Sequence, residues 1–224
     1  MRVHSVRLIA AAAVAFAVSS VPAQAQNFFT GSAETIRDRY FRLTGAPVVM
    51  FGRDDAPDRT GGAFRLGYGI TDAFDVEAKT AFFDGVTLIG GDGQFRVFAD
   101  DNVLVSVRAG GHQALMSNAP DSTALDLGAE LSAWVDRRVE LYAGTEFSFE
   151  HVHGPGGNDI TRAYVVPGAR FGLSDRVDLQ VEGGVGLNDN SPHYITAGFA
   201  LHMPTSGASR GRRRGVRPGG KVRA

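Results

Sequence analysis

The stretch Ala163–Met203, AYVVPGARFGLSDRVDLQVEGGVGLNDNSPHYITAGFALHM, alternates apolar and polar residues with a period of two. From Val177 the odd positions Val177, Leu179, Val181, Val185 and Leu187 are apolar, and Asp178, Gln180 and Glu182 lie between them. Upstream, Val165, Ala169 and Phe171 alternate with Tyr164, Gly168 and Arg170. Downstream, Ile195, Ala197, Phe199, Leu201 and Met203 alternate with Thr196, Gly198, Ala200 and His202. Successive side chains of a strand point to opposite faces, so each segment has one greasy face and one wet face. Runs of about ten such residues have the length of a membrane-crossing β-strand.

The same pattern recurs along the chain and predicts ten strands, over 46–53, 62–70, 74–83, 93–99, 103–113, 124–135, 139–150, 163–172, 177–187 and 194–203. The connections at 71–73, 100–102, 136–138 and 173–176 are short and carry an Asp. Those at 54–61, 84–92, 114–123, 151–162 and 188–193 are longer and rich in Gly, Pro, Asn and Asp. Short turns on one rim, long loops on the other and an even strand number are the plan of a bacterial outer-membrane barrel. The expected fold is therefore all-β: an antiparallel up-and-down transmembrane barrel of about ten strands, eight to twelve, spanning 46–203.

The short turns form a loose repeat. Gly-Ile-Thr-Asp-Ala-Phe-Asp-Val at 69–76 matches Gly-Leu-Ser-Asp-Arg-Val-Asp-Leu at 172–179 in character, and Val135-Asp136-Arg137-Arg138-Val139-Glu140-Leu141 is a shorter version. These stretches resemble the periplasmic turns of Gram-negative outer-membrane barrels. The overall plan resembles the small barrels typified by the outer-membrane protein A transmembrane domain and the generic outer-membrane transporter-like barrels. The resemblance implies fold and location, and brings no catalytic residue with it.

The two ends have different chemistry. Residues 1–25 read as a signal peptide: Arg2 and Arg7, an apolar run from Leu8 to Val18, and the small-residue site Ala23-Gln24-Ala25, with cleavage leaving Gln26 first. In the segment 26–45, residues 32–45 place Ala33, Ile36, Tyr40 and Leu43 at helical spacing. This predicts a short amphipathic helix at the periplasmic or interfacial side, with the start of the first strand at Tyr40–Leu43 as the competing reading. Of the 23 Lys and Arg, two lie in the leading segment and seven after Pro204. That leaves fourteen against all 24 acidic residues, a body of net charge −10. The tail 204–224 is basic, nearly free of apolar residues and expected to be disordered, with a polyanion contact as its sharper reading. Without cysteine, disulfides and thiol chemistry are excluded.

Alternation also suits a soluble lipocalin-like barrel with its apolar face inward. Two features favour the membrane reading. The polar face carries many glycines (Gly67, Gly69, Gly110, Gly128, Gly144, Gly168, Gly184, Gly186 and Gly198), and Phe74, Phe82, Phe147, Phe149 and Phe171 lie on the apolar face near strand ends, where an aromatic girdle belongs. The lumen would then receive Arg65, Arg96, Arg108 and Arg170 with Asp75, Glu77, Asp126, Glu130, Glu140, Glu146, Asp178 and Glu182. Turns centred on Ser174 and Thr71 would set Arg170 opposite Asp178 and Arg65 opposite Glu77. Enclosed charges need partners. The lumen thus reads either as an internal salt-bridge network that fills the tube or as a thin acid-biased path for small solutes.

His151-Val152-His153 with Asp159 is the one cluster with metal-ligand character: two imidazoles at this spacing can grip a divalent ion, but a site also needs a third ligand and an orienting shell. No metal or other cofactor is expected. Asp54, Asp55, His151, His153, Ser191 and His193 gather at the outer rim, in no pattern that matches the outer-membrane proteases or lipid A enzymes. The Gly183-Gly184-Val185-Gly186 run is mid-strand, with no helix to receive a phosphate. The reading is a non-enzymatic outer-membrane barrel, structural or porin-like, whose partners are outer-membrane lipids, small solutes and, through the tail, a polyanion, with no nucleic acid. A surface enzyme acting on lipid A or peptides and a soluble periplasmic ligand-binding barrel are the alternatives.

Overall fold

Period-two alternation becomes a closed sheet of ten antiparallel strands: β1 (Tyr40–Phe51), β2 (Arg59–Thr71), β3 (Phe74–Phe83), β4 (Val86–Ala99), β5 (Val103–Met116), β6 (Ser122–Trp134), β7 (Val139–Val152), β8 (Asp159–Gly172), β9 (Val177–Gly186) and β10 (His193–Pro204). The structure is a computed structural model and describes residues 31–52, 57–117, 119–154 and 156–206. The expected signal peptide at 1–25 and the tail from 207 onward lie outside the described residues. Each strand pairs with its sequence neighbours, and β1 pairs with β10 to close the barrel. In this seam Tyr40 lies opposite Pro204, Leu43 opposite Leu201 and Phe51 opposite His193. No ladder edge remains, which is the condition for strands to cross hydrocarbon.

The outward face is apolar. Phe64, Leu66, Ile89, Phe95, Leu125, Leu127, Leu141 and Phe199 are all exposed, whereas Asp75, Glu130, Glu140, Arg170 and Asp178 are buried inside. A soluble barrel would show the reverse, so the lipocalin-like alternative falls. Exposed aromatics ring both ends, with Phe51, Phe82 and Phe149 towards one rim and Phe41, Phe95, Phe98 and Phe171 towards the other.

The helix expected over 32–45 does not form. Residues 31–39 run without helix, and β1 starts at Tyr40. The apolar residues Ile36, Tyr40 and Leu43 have helical spacing, but from residue 41 a period of two wins: Phe41 and Leu43 face out while Arg42 and Thr44 are buried. The reason lies in the seam. A first strand beginning at 46 would strip β10 of its partners from Phe199 to Pro204 and leave backbone groups facing lipid. Arg39, with φ 60°, makes the turn from the leading segment into β1.

The long connection expected at 84–92 is also absent. Phe83 pairs with Val86, so Asp84-Gly85 alone makes the turn, with Gly85 at φ 71°. An Asp-Gly pair suits the two-residue hairpin because its glycine takes a positive φ without strain. On the opposite rim the Asp, Ser and Thr residues cap the turns. Asp136 accepts from the Arg138 N–H at 2.7 Å, Ser174 Oγ accepts from the Val177 N–H at 3.1 Å, and Thr71 Oγ1 accepts from the Ala73 N–H at 3.1 Å.

Leu127 sits in the middle of β6 on the outer face, and Leu173 lies in a short turn. Leu127→Arg is expected to destabilise the barrel by about 2–4 kcal/mol and Leu173→Arg by roughly 0–1 kcal/mol. Urea unfolding in lipid vesicles checks this, and equal effects at the two positions would contradict lipid contact.

Candidate functional site

The interior has two halves of unlike chemistry. On the side of the longer connections, Val48 and Met50 of β1, Ala63 of β2, Ala81 of β3, Val86 and Leu88 of β4 and Ala114 of β5 form an apolar cluster, with Phe83 and Met116 packed on it. Tyr164 and Val166 of β8 complete it, with Tyr194 of β10, which lies opposite Met50 in the seam. This half of the lumen is filled as a small core.

Towards the short-turn rim the interior is ionic. Arg65 sits between two acids, Glu77 and Asp92, each at 2.7 Å. Arg42 reaches the same Glu77 at 2.9 Å. Lys79 bridges Asp92 at 3.4 Å and Asp126 at 2.8 Å, and His112 Nδ1 lies 2.9 Å from Asp126. Arg108 lies 3.3 Å from Glu130 and donates to Gln94 at 3.0 Å. Across the barrel, Arg170 meets Glu140 at 2.6 Å and stacks 5.0 Å from the Trp134 ring. A separate pair, Arg162 and Glu150 at 2.6 Å, stands higher in the lumen, with the Ser122 hydroxyl donating to Glu150. Glu182 has phenols as neighbours: Tyr194 donates to it at 2.8 Å and Tyr142 at 3.3 Å. These rings lie over glycines. A Cβ at Gly168 would collide with the Tyr142 ring, and one at Gly184 with the Tyr194 ring. The inward glycines are the space the tyrosines occupy.

The leading segment enters this ionic half from the short-turn rim. Ser32, Ala33, Thr35 and Ile36 are buried within the barrel. The Gly31 N–H donates to Glu182 at 3.1 Å, Gln94 donates to the Ser32 carbonyl at 2.9 Å, and the Ile36 N–H donates to Asp75 at 2.6 Å. Thr35 donates to the Asp72 carbonyl at 2.6 Å, and the Glu34 carboxylate meets Arg170. Beside it lies a cleft of about 20 Å³ lined by Glu34, Ile36, Arg42, Arg170 and His202, room for one water.

Arg65, Asp75, Glu77, Arg108, Asp126, Glu130, Glu140, Glu146, Arg170, Asp178 and Glu182 all lie buried on the inward face. Arg96 is half-buried at the rim, beside the bulge at Arg96/Phe98. The expected pairings shift by two residues. Arg170 lies opposite Gln180, and Asp178 opposite Gly172. Arg65 lies opposite Lys79 and reaches Glu77 only diagonally. A slip of two keeps every side chain on its face, so parity leaves the turn length open. Arg42, Lys79, Asp92, Glu150 and Arg162 join the lumen unforeseen. Parity marks Lys79 and Glu150, while Arg42, Asp92 and Arg162 fall just outside the expected strands.

At the outer rim the His151 and His153 rings lie edge to face, with centroids 5.5 Å apart, yet bond different partners. His151 is exposed and bonds Asp159 across the hairpin at 2.7 Å, and His153 Nε2 bonds Thr123 at 2.9 Å. Among the described residues no three metal-ligating side chains converge. Ser191 is buried and accepts from the Ala163 N–H at 3.0 Å, and His193 Nδ1 accepts from the Gly186 N–H at 3.1 Å. Asp54 and Asp55 lie outside the described residues.

Removing one member of a buried pair strands the other charge, at a cost of about 3–5 kcal/mol, while an apolar pair of similar size is often tolerated. Arg162→Met is therefore expected to lower stability by about that amount, and Arg162→Met with Glu150→Met to recover much of it. Urea midpoints of the refolded variants read the difference, and additive losses would show that the two side chains are uncoupled.

No family model matches the sequence. Nor does any curated protein. Solved structures do match. An outer membrane channel from Pseudomonas putida F1 aligns with TM-score 0.51 and 10% identity, over 79% of this chain and 100% of that one. NanC porin aligns with TM-score 0.43 and 9% identity over 72% and 98%, and the N-terminal β-barrel domain of Pseudomonas aeruginosa OprF with 0.37 and 11% over 74% and 99%. The chain has the fold of Gram-negative outer-membrane β-barrels.

Proposed function

We propose that the protein is an integral outer-membrane barrel with a narrow, acid-biased lumen, closed at rest, that lets small solutes pass passively and favours cations. The observation that carries this reading is the charge inside. Among the described residues ten carboxylates are buried there against Arg42, Arg65, Arg108, Arg162 and Arg170, with Lys79 as a sixth cation. A low-dielectric tube focuses the field of that excess, so cations are drawn in and anions repelled. Filling by the tube's own side chains accounts for the closed resting state.

The protein is read as non-enzymatic. Ser191 and His193 are engaged with the backbone, Ser191 Oγ accepting from the Ala163 N–H of β8 and His193 Nδ1 from the Gly186 N–H at the end of β9. The basic tail departs beyond Pro204, on the same rim as the short turns, and we assign it to the phosphates of lipids on that side. Export through a cleaved signal peptide belongs to the same reading.

In planar bilayers under a KCl gradient, the openings are expected to reverse at a potential on the cation side, and Glu146→Gln is expected to move that potential towards zero. Reversal on the anion side would sink the acid-biased path, and silence under all voltages and in all opened variants would leave only a structural role.

A further inference from the structure

Residues 31–36 occupy the ionic half of the lumen in the manner of a bound ligand. They add no strand to the sheet, which is already closed by β1 and β10. Their contacts come instead from side chains of separate strands: Glu182 of β9 and Asp75 of β3 accept from main-chain N–H groups, and Gln94 of β4 donates to a main-chain carbonyl. Main-chain recognition of this kind suits any extended peptide. Two contacts are selective. Glu34 places a carboxylate on Arg170, and Ile36 lies against Gly67, where a Cβ would collide with its Cδ1. The wall is cut away again at Gly69, where a Cβ would collide with the Arg37 carbonyl. Ser32, Ala33 and Thr35 are small, so the segment is held by polar contacts more than by apolar area.

We propose that the inner half of the lumen is a binding site for an extended peptide carrying an acidic residue two positions before a β-branched aliphatic one, and that residues 31–36 are its tethered occupant. The segment leaves and returns as a unit, and its departure clears the ionic half. The conductance consequence rests on the solute-passage reading, but the binding site itself does not.

The absence of cysteine allows a direct test. Thr44 faces the lumen from β1, is buried, and lies opposite Arg65 of β2 and Ala200 of β10. In the full chain refolded into vesicles, Thr44→Cys is expected to react slowly with a small water-soluble thiol reagent. Adding Glu34→Arg with Ile36→Asp is expected to speed the reaction by about tenfold or more, since charged hydrogen bonds of this kind hold at least that factor. A synthetic peptide of residues 31–38 should then restore protection, and the same peptide with Arg at the Glu34 position should not. If the double variant fails to fold by the heat-shift of its gel mobility, Glu34→Ala alone is expected to give a smaller acceleration that the peptide reverses. Equal labelling rates in folded wild type and variant, or protection by both peptides, would overturn the proposal. Faster labelling without added conductance would uphold the binding site and remove the solute path.

Discussion

The structure depends on the seam between β1 and β10. In hydrocarbon a backbone N–H or C=O has no water to turn to, and an open edge would leave a row of them unsatisfied along both strands. The seam runs from Tyr40 opposite Pro204 to Phe51 opposite His193, so it uses the whole of the first strand. That demand overrides the helical spacing of Ile36, Tyr40 and Leu43. Once the sheet is closed, period two decides the rest: whatever lies on one parity meets lipid, and whatever lies on the other is enclosed.

Enclosure gives the interior charges their character. Arg65 and Lys79 are each shared between two acids, so one cation satisfies more than one carboxylate and the network runs without a break from Arg42 to His112. The arrangement is ionic only where acids and bases of several strands reach the same level. Nearer the longer connections β1 to β5 supply Val48, Met50, Val86 and Leu88 instead, and the tube is packed like a core.

Much of this was legible in the sequence because it follows from parity alone. Asp178 and Glu182 alternate with Leu179 and Val181, and the structure puts the acids inside. What parity does not encode was lost. The partner of Arg170 depends on turn length, which can change by two residues without moving any side chain to the wrong face, so Glu140 of β7 was missed in favour of Asp178. Asp84-Gly85 was masked by the glycines that follow it, Gly90, Gly91 and Gly93, which made a hairpin look like a loop. The placement of Ser32–Ile36 leaves almost no local trace. Apart from Ile36 those residues are small or polar, and the segment joins no ladder and owes its position to Glu182, Gln94 and Asp75, which are distant in the chain.

The meeting of Thr205 with Arg39 has a topological consequence. Both the Thr205 N–H and its hydroxyl donate to the Arg39 carbonyl, at 3.0 and 2.9 Å, so the two ends of the sheet lie side by side at one rim. The ladder that joins first strand to last is antiparallel like every other, with no crossover anywhere in the circuit. Splicing residue 205 to residue 39 would make the meander a ring, and cutting any one of its hairpins would give a circular permutant with the same set of neighbours. The barrel's geometry keeps no memory of which strand the ribosome made first.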